Sequence, residues 1–571
     1  MINQECNNKF VTPNLTYMNL KTFLILLFSL TGISLRISAQ SFKYVWGEIP
    51  GGNSGNEIHI TTDADGNILA TGEFVDRSIS FGTTTLTNAG SKDIFVVKYD
   101  PSGNVLWAKS AGGTHLDGGK SISTDEGGNV LVTGYFYGSI TFGKTNLISN
   151  GGTDIFVVKF DASGNVVWAK SLGGDSFESG TAISSDANGN VLVTGYFKSS
   201  ILSIDKSTFT NKSEGNREDI FIVKYDVSGK VLWAKSVGGT DPDNARSICT
   251  DASGNILLTG EFESSSLDFD TFTIQNALIH NKDIFIVKLD ASGNTLWAKS
   301  AGGGSIDAGT SLCTDAKQNI LVTGYFYSSS ITFGKITLTK ASGTNSDMFV
   351  VKYDASGNLI WAKSAGESGD DAGIGICTDA GGNIFVNGIF DYSPITFGQI
   401  TLTSAGSKDI FIVEYDAKGD VVGAESAGGI ADDNCENICI DANGNVFISG
   451  FSFSDSIKLG TSILSKGGPI GVFTIKLSAP LIADITDEQS TDIDLIYPNP
   501  FSLFTTIQFK TIISNGNLNI YNVNGQLVKV IQNISGRNII IYRESIPSGI
   551  YFVSLIENNK VILSNKLVIT D

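Results

Sequence analysis

The chain has 571 residues, with 39 Lys and Arg against 58 Asp and Glu, a formal charge of −19 that argues against a nucleic-acid partner. Gly is abundant at 65 and Pro scarce at 10, which suits many tight turns in an all-β chain long enough for several domains or one large repeat array. The charge is uneven: residues 40–480 carry 30 bases and 49 acids, 481–494 add five acids and no base, and 495–571 are net +3.

Residues 1–39 are expected to be a secretory signal peptide. Lys21 precedes the apolar run TFLILLFSLTGI, and ISAQS makes Ala39 the last residue removed. The run is too short for an ordinary membrane span. Residues 1–17 are polar and precede Met18, an alternative start. No later segment reads as a membrane span, so the mature chain is expected to leave the cytoplasm as a soluble protein.

From Gln40 to residue 480 the chain repeats itself. DIFVVKYDPSGNVLWAKSAGG begins at Asp93, with copies at Asp154, Asp219, Asp283, Asp347 and Asp409 and a degenerate one at Gly471. The β-branched and aromatic runs on either side of Asp-x-Ser-Gly-Asn predict a hairpin. Asp bonds backbone amides two residues on, and Gly supplies the positive φ. The variant at Asp63, Asp65, Gly66 and Asn67 also has the start of a calcium loop. Its twelfth position is Phe74, where such a loop needs a bidentate Glu, so the turn is the favoured reading.

One repeat, residues 118–171, holds four principal strands: GKSISTD, VLVTGYF, DIFVVKF and VVWAKS. Four-stranded units repeated seven times predict a seven-bladed β-propeller. The mature chain opens with FKYVWGEIPGG, an outer-strand copy without a preceding third strand. The array stops at GVFTIKLS, a third strand without an outer one. The two ends are therefore expected to complete one blade and remove its exposed edge. Thr71-Gly72, Thr133-Gly134, Thr194-Gly195, Thr259-Gly260 and Thr323-Gly324, followed by Asp-x-Phe-x-x-Lys, resemble the β-propeller repeat family of secreted bacterial proteins. Asn387-Gly388 and Ser449-Gly450 depart slightly. The resemblance covers about residues 41–478 and implies a fold but no agreed activity.

Candidate chemistry is sparse. His59, His115 and His280 fall at three different places in three repeats, without an orienting partner nearby in sequence. Trp46, Trp107, Trp168, Trp233, Trp297 and Trp361 share one strand position, with Gly423 in the seventh, and read as packing between sheets. Cys249, Cys313, Cys377 and Cys439 share a slot with Thr61, Ser123 and Ser184, which reads as a small packed site of free thiols. A disulfide would need Cα atoms within about 7 Å.

One set of acids stands out. Asp117, Glu178, Asp243, Asp307, Asp371 and Asp433 lie eight residues before the Asp ending each inner strand, with Gly55 in the first repeat. They are expected around the mouth of the central channel. Each either braces its own turn or joins a site for a cation, calcium among them, or for a basic ligand. No other cofactor is expected. The stretch between the second and third strands varies in length, and shares a face with the outer-to-inner loops. That face is the expected site for a glycan, protein or cationic ligand.

Residues 481–494 read as an acidic linker. Residues 495–571 alternate as strands with turns at Pro-Asn-Pro, Asn-Gly and Pro-Ser-Gly, enough for a small β-sandwich. Tyr497-Pro498-Asn499-Pro500, Tyr521 with Asn524-Gly525-Gln526, Ser548-Gly549-Ile550-Tyr551 and Lys566-Leu567-Val568 closely resemble the type A C-terminal sorting domain of the type IX secretion system. The last residues, Ile-Thr-Asp, depart from the basic end common in that family. The resemblance implies passage by a signal peptide to the periplasm of a Gram-negative bacterium, recognition by the outer-membrane translocon, and a cleaved tail. The expected product is a secreted or surface-held binding or adhesion module. A glycan hydrolase or lyase using paired carboxylates about 5–10 Å apart, and a structural surface-layer component, are the alternatives.

Overall fold

Asp63 shows how the repeat makes its turns. Its Oδ1 accepts the Asp65 and Asn67 N–H groups at 3.0 and 2.9 Å, and its Oδ2 accepts the Asn67 amide. Gly66 takes φ of 77°, where a side chain would be strained. Asp100 repeats the pattern through Ser102 and Asn104. Each of the first six repeats thus closes two hairpins with one device.

The computed structural model describes residues 42–50, 54–213, 215, 217–341, 343–465, 471–478, 493–522, 527–544, 546–557 and 560–571. The expected signal peptide 1–39, with Met18, and residues 481–492 of the expected linker lie outside them. Strand Ile493–Tyr497 already begins within the last two linker residues.

Residues 54–478 form seven four-stranded antiparallel blades, completed by the strand Lys43–Glu48. Blade 1 runs, from inner to outer strand, Ser54–Thr62, Ile68–Phe74, Asp93–Tyr99 and Val105–Ala111. Its second and third strands are buried along their whole length, which is why they read as continuous apolar runs. Blade 7 is closed as expected. Lys43–Glu48 pairs antiparallel with Gly471–Ser478, from Lys43 opposite Ser478 to Glu48 opposite Thr474. Inner-strand hydroxyls tie blade to blade: Thr124 to Thr62, Ser185 to Thr124, Thr250 to Ser185 and Thr378 to Thr314. The chain of bonds crosses the seam, where Thr62 Oγ1 donates to the Ile440 carbonyl at 3.0 Å.

The Trp positions clasp neighbouring blades. The indole N–H of Trp46, Trp107, Trp168, Trp233 and Trp361 donates to a carbonyl in the third turn of the next blade. The third-strand Lys does the same from Lys224, Lys288 and Lys352 while pairing with its own blade's turn Asp at 2.8–2.9 Å. In blade 6 both partners are missing: Gly423 replaces Trp and Glu414 replaces Lys. The reason is the seam. Blade 7 has no turn between its third and outer strands, so neither side chain has a carbonyl to reach.

The stretch between second and third strands is more regular than expected. In blade 1 it forms the hairpin Ser78–Phe81 with Thr84–Thr87, folding Phe81 over Phe95 at 5.0 Å between ring centroids. Equivalent hairpins occur in every other blade. That of blade 7 extends the blade 6 sheet, pairing Ala427 with Leu459.

The tail forms its own five-stranded structure. Phe504–Asn522 bends so that its first part lies between Ile493–Tyr497 and the end of Leu527–Tyr542. Its last part lies between the start of Leu527–Tyr542 and Gly549–Glu557. The two layers enclose Phe501, Ile507, Leu518, Ile541, Val553 and Leu567, a small β-sandwich core.

Candidate functional site

The six acids expected at the channel mouth are fully buried: Asp117, Glu178, Asp243, Asp307, Asp371 and Asp433 are each 0 % exposed. They present no carboxylate ring to solvent. Each lies where the outer-to-inner loop meets the end of the second strand. Asp307 accepts the Ser328 hydroxyl at 2.6 Å and the Ser328 N–H at 3.1 Å, and Asp243 uses Ser264 and the Gly239 N–H in the same way. Burial pushes Asp117 and Asp243 up to about 7, Asp307 to about 6 and Asp371 to about 8, against the opposing pull of these donors.

Each of the six faces a second buried acid, at the start of the preceding blade's third strand. Asp93 acts on Asp117, Asp219 on Asp243 and Asp347 on Asp371, in each case raising it. At the seventh junction both places hold glycine, Gly55 and Gly471. Gly55 leaves room for Glu73, whose carboxylate pairs with Lys92 at 2.6 Å.

The channel wall carries residues that spacing did not single out. A β-bulge in each inner strand frees one residue: Lys120, Thr181, Arg246, Thr310, Ile374 and Glu436 in blades 2 to 7. Bulges re-aim side chains, and here the freed slot differs from blade to blade. Lys120 pairs with Glu57 and lies 5.5 Å from the Tyr135 ring. Arg246 pairs with Glu261 through two nitrogens, and Lys198 pairs with Glu218 at 2.9 Å. Glu436 is pushed up to about 8 by burial and by the charge of Glu57. The sequence signal was a change of charge five residues before each inner-strand Asp.

Leu106, Val167, Leu232, Leu296 and Ile360 are exposed along the outer strands, and a second set of exposed large apolar side chains stands on the variable-loop face. Leu116, Phe177, Ile306 and Ile430 stand in outer-to-inner loops; Tyr392 and Phe453 follow second strands. Ile430 is 82 % exposed and Tyr392 75 %. On the opposite face the one such residue among the described residues is Val227.

The three histidines stay apart. His59 is crowded in the channel wall, and burial lowers it to about 4. His115 stacks edge-on to Tyr137, and His280 lies 3.4 Å from Asp241. Asp63 spends its carboxylate on its own turn and on Lys98 at 2.8 Å, so it is a turn residue. Cys249, Cys313, Cys377 and Cys439 are free thiols, raised by burial. Among the described residues no three His, Cys, Asp or Glu side chains converge to hold a metal ion.

In the tail, Asn499 holds the last strand: its amide donates to the Lys566 carbonyl and its Oδ1 accepts the Val568 N–H, both at 2.8 Å. Tyr551 is buried and donates to the Pro547 carbonyl at 2.9 Å, just before Gly549. Tyr497 is exposed and leads into Pro498 and Pro500. Asn524 and Gly525 lie outside the described residues. No helix among the described residues is long and apolar enough to cross a membrane.

Residues 495–570 match the family of secretion system C-terminal sorting domains. An uncharacterized WD repeat-containing protein, L264, of Acanthamoeba polyphaga mimivirus is 24 % identical over 412 residues, covering 60 % of this chain and 30 % of that protein. The regulatory protein FlaEY of Caulobacter vibrioides is 26 % identical over 230 residues, covering 38 % of this chain and 23 % of its own. The chain thus spans under a third of the length of either relative. Among solved structures, Sqt1 from Chaetomium thermophilum aligns with a TM-score of 0.36 at 10 % identity, over 77 % of this chain and all of that one.

Proposed function

We infer that this chain, a repeat β-propeller exported with a type IX C-terminal sorting domain, is a binding or adhesion module without catalysis of its own. Its ligand, a glycan or a protein, sits on the variable-loop face. The observation that carries this reading is that, apart from those on the outer strands and small hairpins, the exposed apolar side chains of the propeller are unequally shared between its two faces. Leu116, Phe177, Ile306, Tyr392, Ile430 and Phe453 share one face, and among the described residues Val227 alone stands on the other. Exposed apolar groups concentrated on one surface mark recognition sites, and aromatic side chains anchor them. Lys92, Lys120 and Arg246 near the mouth already hold internal partners. They offer a pre-organised polar surround rather than free charge. A signal peptide would bring the chain to the periplasm, and the outer-membrane translocon would read the tail.

Glycan and extracellular-protein arrays, read for both retention and product release, test this. Retention that falls at least tenfold in Tyr392→Ser with Ile430→Ser supports it. Retention unchanged in that variant overturns the face assignment.

Glu436 and Glu57 favour a second reading, an enzyme at the channel mouth. A carboxyl pushed up to about 8 beside a second acid is the arrangement of a general acid with its partner. Product release that disappears in Glu436→Gln would establish it. Neither retention nor release would leave a structural surface component.

A further inference from the structure

Two junctions of the ring, between blades 1 and 2 and between blades 4 and 5, carry the same set of side chains on the variable-loop face. Near the end of its second strand, blade 1 has Glu73 and blade 4 has Glu261. At the same place blade 2 has Tyr135 with Tyr137, and blade 5 has Tyr325 with Tyr327. The Tyr135 hydroxyl donates to Glu73 at 3.3 Å, and Tyr325 lies in the field of Glu261. Tyr327 meets Tyr325 edge-on, at 5.9 Å between ring centroids. The loop entering each blade sets an exposed aliphatic residue beside the outer Tyr. The Tyr137 N–H donates to the Leu116 carbonyl at 3.1 Å, and the Tyr327 N–H to the Ile306 carbonyl at 2.9 Å.

Charge is balanced in both sets. Lys92 pairs with Glu73 at 2.6 Å, and Lys120 pairs with Glu57. Arg246 holds Glu261 through two nitrogens, and Lys282 lies 3.5 Å from Glu261 and 3.8 Å from Glu263. Two bases meet two acids each time, so neither set selects an ion. Both still offer hydrogen bonds. An ammonium has three N–H groups and a guanidinium five, and these pairs engage only some of them. The tyrosine rings add flat apolar faces with a polar tip.

This combination matches one class of ligand. A pyranose ring presents a flat face of C–H groups and, around its edge, hydroxyls that both donate and accept. Aromatic faces beside a few fixed polar groups serve both parts of it. A charged polymer would call for an unmatched charge of opposite sign. A protein partner would be held by the exposed rim. It would gain little from carboxylates as deep as Glu73 and Glu261, which are 4 % and 1 % exposed. Blades 2 and 5 stand on roughly opposite sides of a seven-bladed ring, so a chain of several sugars meets both sets.

We propose that the two sets together bind one neutral oligosaccharide across the channel mouth. One sugar stacks on Tyr135 and Tyr137, another on Tyr325 and Tyr327, and their hydroxyls meet Lys92, Arg246 and Lys282. The site rests on the reading that the variable-loop face binds a ligand, and it gives that ligand a class.

The full chain is offered an array of neutral glycans, with polygalacturonate and chitosan as charged counterparts. A retained glycan is then titrated by calorimetry as its hexasaccharide. The expected result is binding that added salt changes little, since every cation of the site is already paired. Affinity falls at least about tenfold in Tyr137→Ala with Tyr327→Ala. Retention of no neutral glycan overturns the site, as does retention of the charged polymers alone or undiminished binding in the double variant. A protein retained through Tyr392 and Ile430, with no glycan, keeps the face and overturns the glycan. A glycan lost from the Tyr137 and Tyr327 variant but kept by Tyr392→Ser with Ile430→Ser sustains this site and overturns the role given to Tyr392 and Ile430. If the double variant does not fold, tyrosine nitration of the unsubstituted chain decides. Shielding of Tyr137 and Tyr327 by the oligosaccharide sustains the site, and equal nitration with and without it overturns it.

Discussion

The indole of Trp107 donates to the carbonyl of Ala162, one blade further on, at 3.1 Å. The same ring lies against Gly164, where an added Cβ would come within 2.9 Å of it. Gly164 also takes φ of 80°. Glycine is needed twice there, for the turn and for the close approach. Gly164→Ala is expected to cost about 1–3 kcal/mol, from strain and overpacking together. Chemical denaturation measures it, and an unchanged midpoint would show that the clasp is slack.

The seam sets a second expectation. Removing residues 42–48 strips the outer strand from blade 7 and leaves Gly471–Ser478 with an open edge. Unpaired edges recruit other chains. The truncated chain is expected to melt lower and to aggregate at concentrations where the full chain stays monomeric, which light scattering reads. Identical melting and scattering would mean that the ring holds without this strand.

The periodicity made the blades and the seam legible, because strands buried on both faces and Asp-Gly turns leave a strong local pattern. Gly423 and Glu414 also carried information. Two departures in one repeat announced that its neighbour lacks a turn, but only the ring arrangement supplies that meaning. The small hairpins were not legible: runs as short as SISF and TTLT are too brief for a pattern. The six acids sit in the loops that their spacing assigned, but their complete enclosure was not legible. Neighbouring glycines and Ser264 or Ser328 wrap the carboxyls, and sequence spacing does not report such wrapping. The bulge slot was missed because its residues share no type.

Deleting residues 495–571 is expected to leave the propeller folded and retained inside the cell envelope, since that segment is the sorting domain. Fractionation with protease shaving reads the outcome. Surface delivery of the shortened chain would remove the export role from the tail.

Two opposed sets of acids shape the pH response. Burial raises Asp117, Asp243, Asp307 and Asp371, so their stabilising contribution is present below the unfolded carboxyl range. It is lost as pH rises through about 6 to about 8. Asp63, Asp186 and Asp251 are buried too, but their Lys partners and turn amides hold them below the usual range. Their contribution is present above that range and lost as pH falls through it. The melting temperature is expected to peak near mildly acidic pH. Asp307→Asn should flatten the decline between about 4 and about 6, because the amide stays neutral throughout. A melting temperature that climbs steadily to pH 8 would contradict this.

Blade 6 offers the sharpest test of the Lys–Asp pairing. In five blades a third-strand Lys meets the turn Asp: Lys98 with Asp63, Lys159 with Asp125, Lys224 with Asp186, Lys288 with Asp251 and Lys352 with Asp315. Glu414 stands there in blade 6, and burial followed by the charge of Asp379 pushes it up to about 7. A raised carboxyl stabilises while it keeps its proton, so this contribution fades as pH rises from about 4.5 through about 7. Glu414→Lys replaces a buried repulsion with the pairing found in blades 1 to 5. The variant is expected to gain on the parent steadily over that interval, reaching about 1–3 kcal/mol at pH 8. The missing turn of blade 7 denies the new ammonium its second acceptor, so the gain should stay below the loss caused by Lys288→Met in blade 4. A variant less stable than the parent at pH 8 would show that the pairing depends on that neighbouring carbonyl, and that Glu414 is the better occupant of a blade without one.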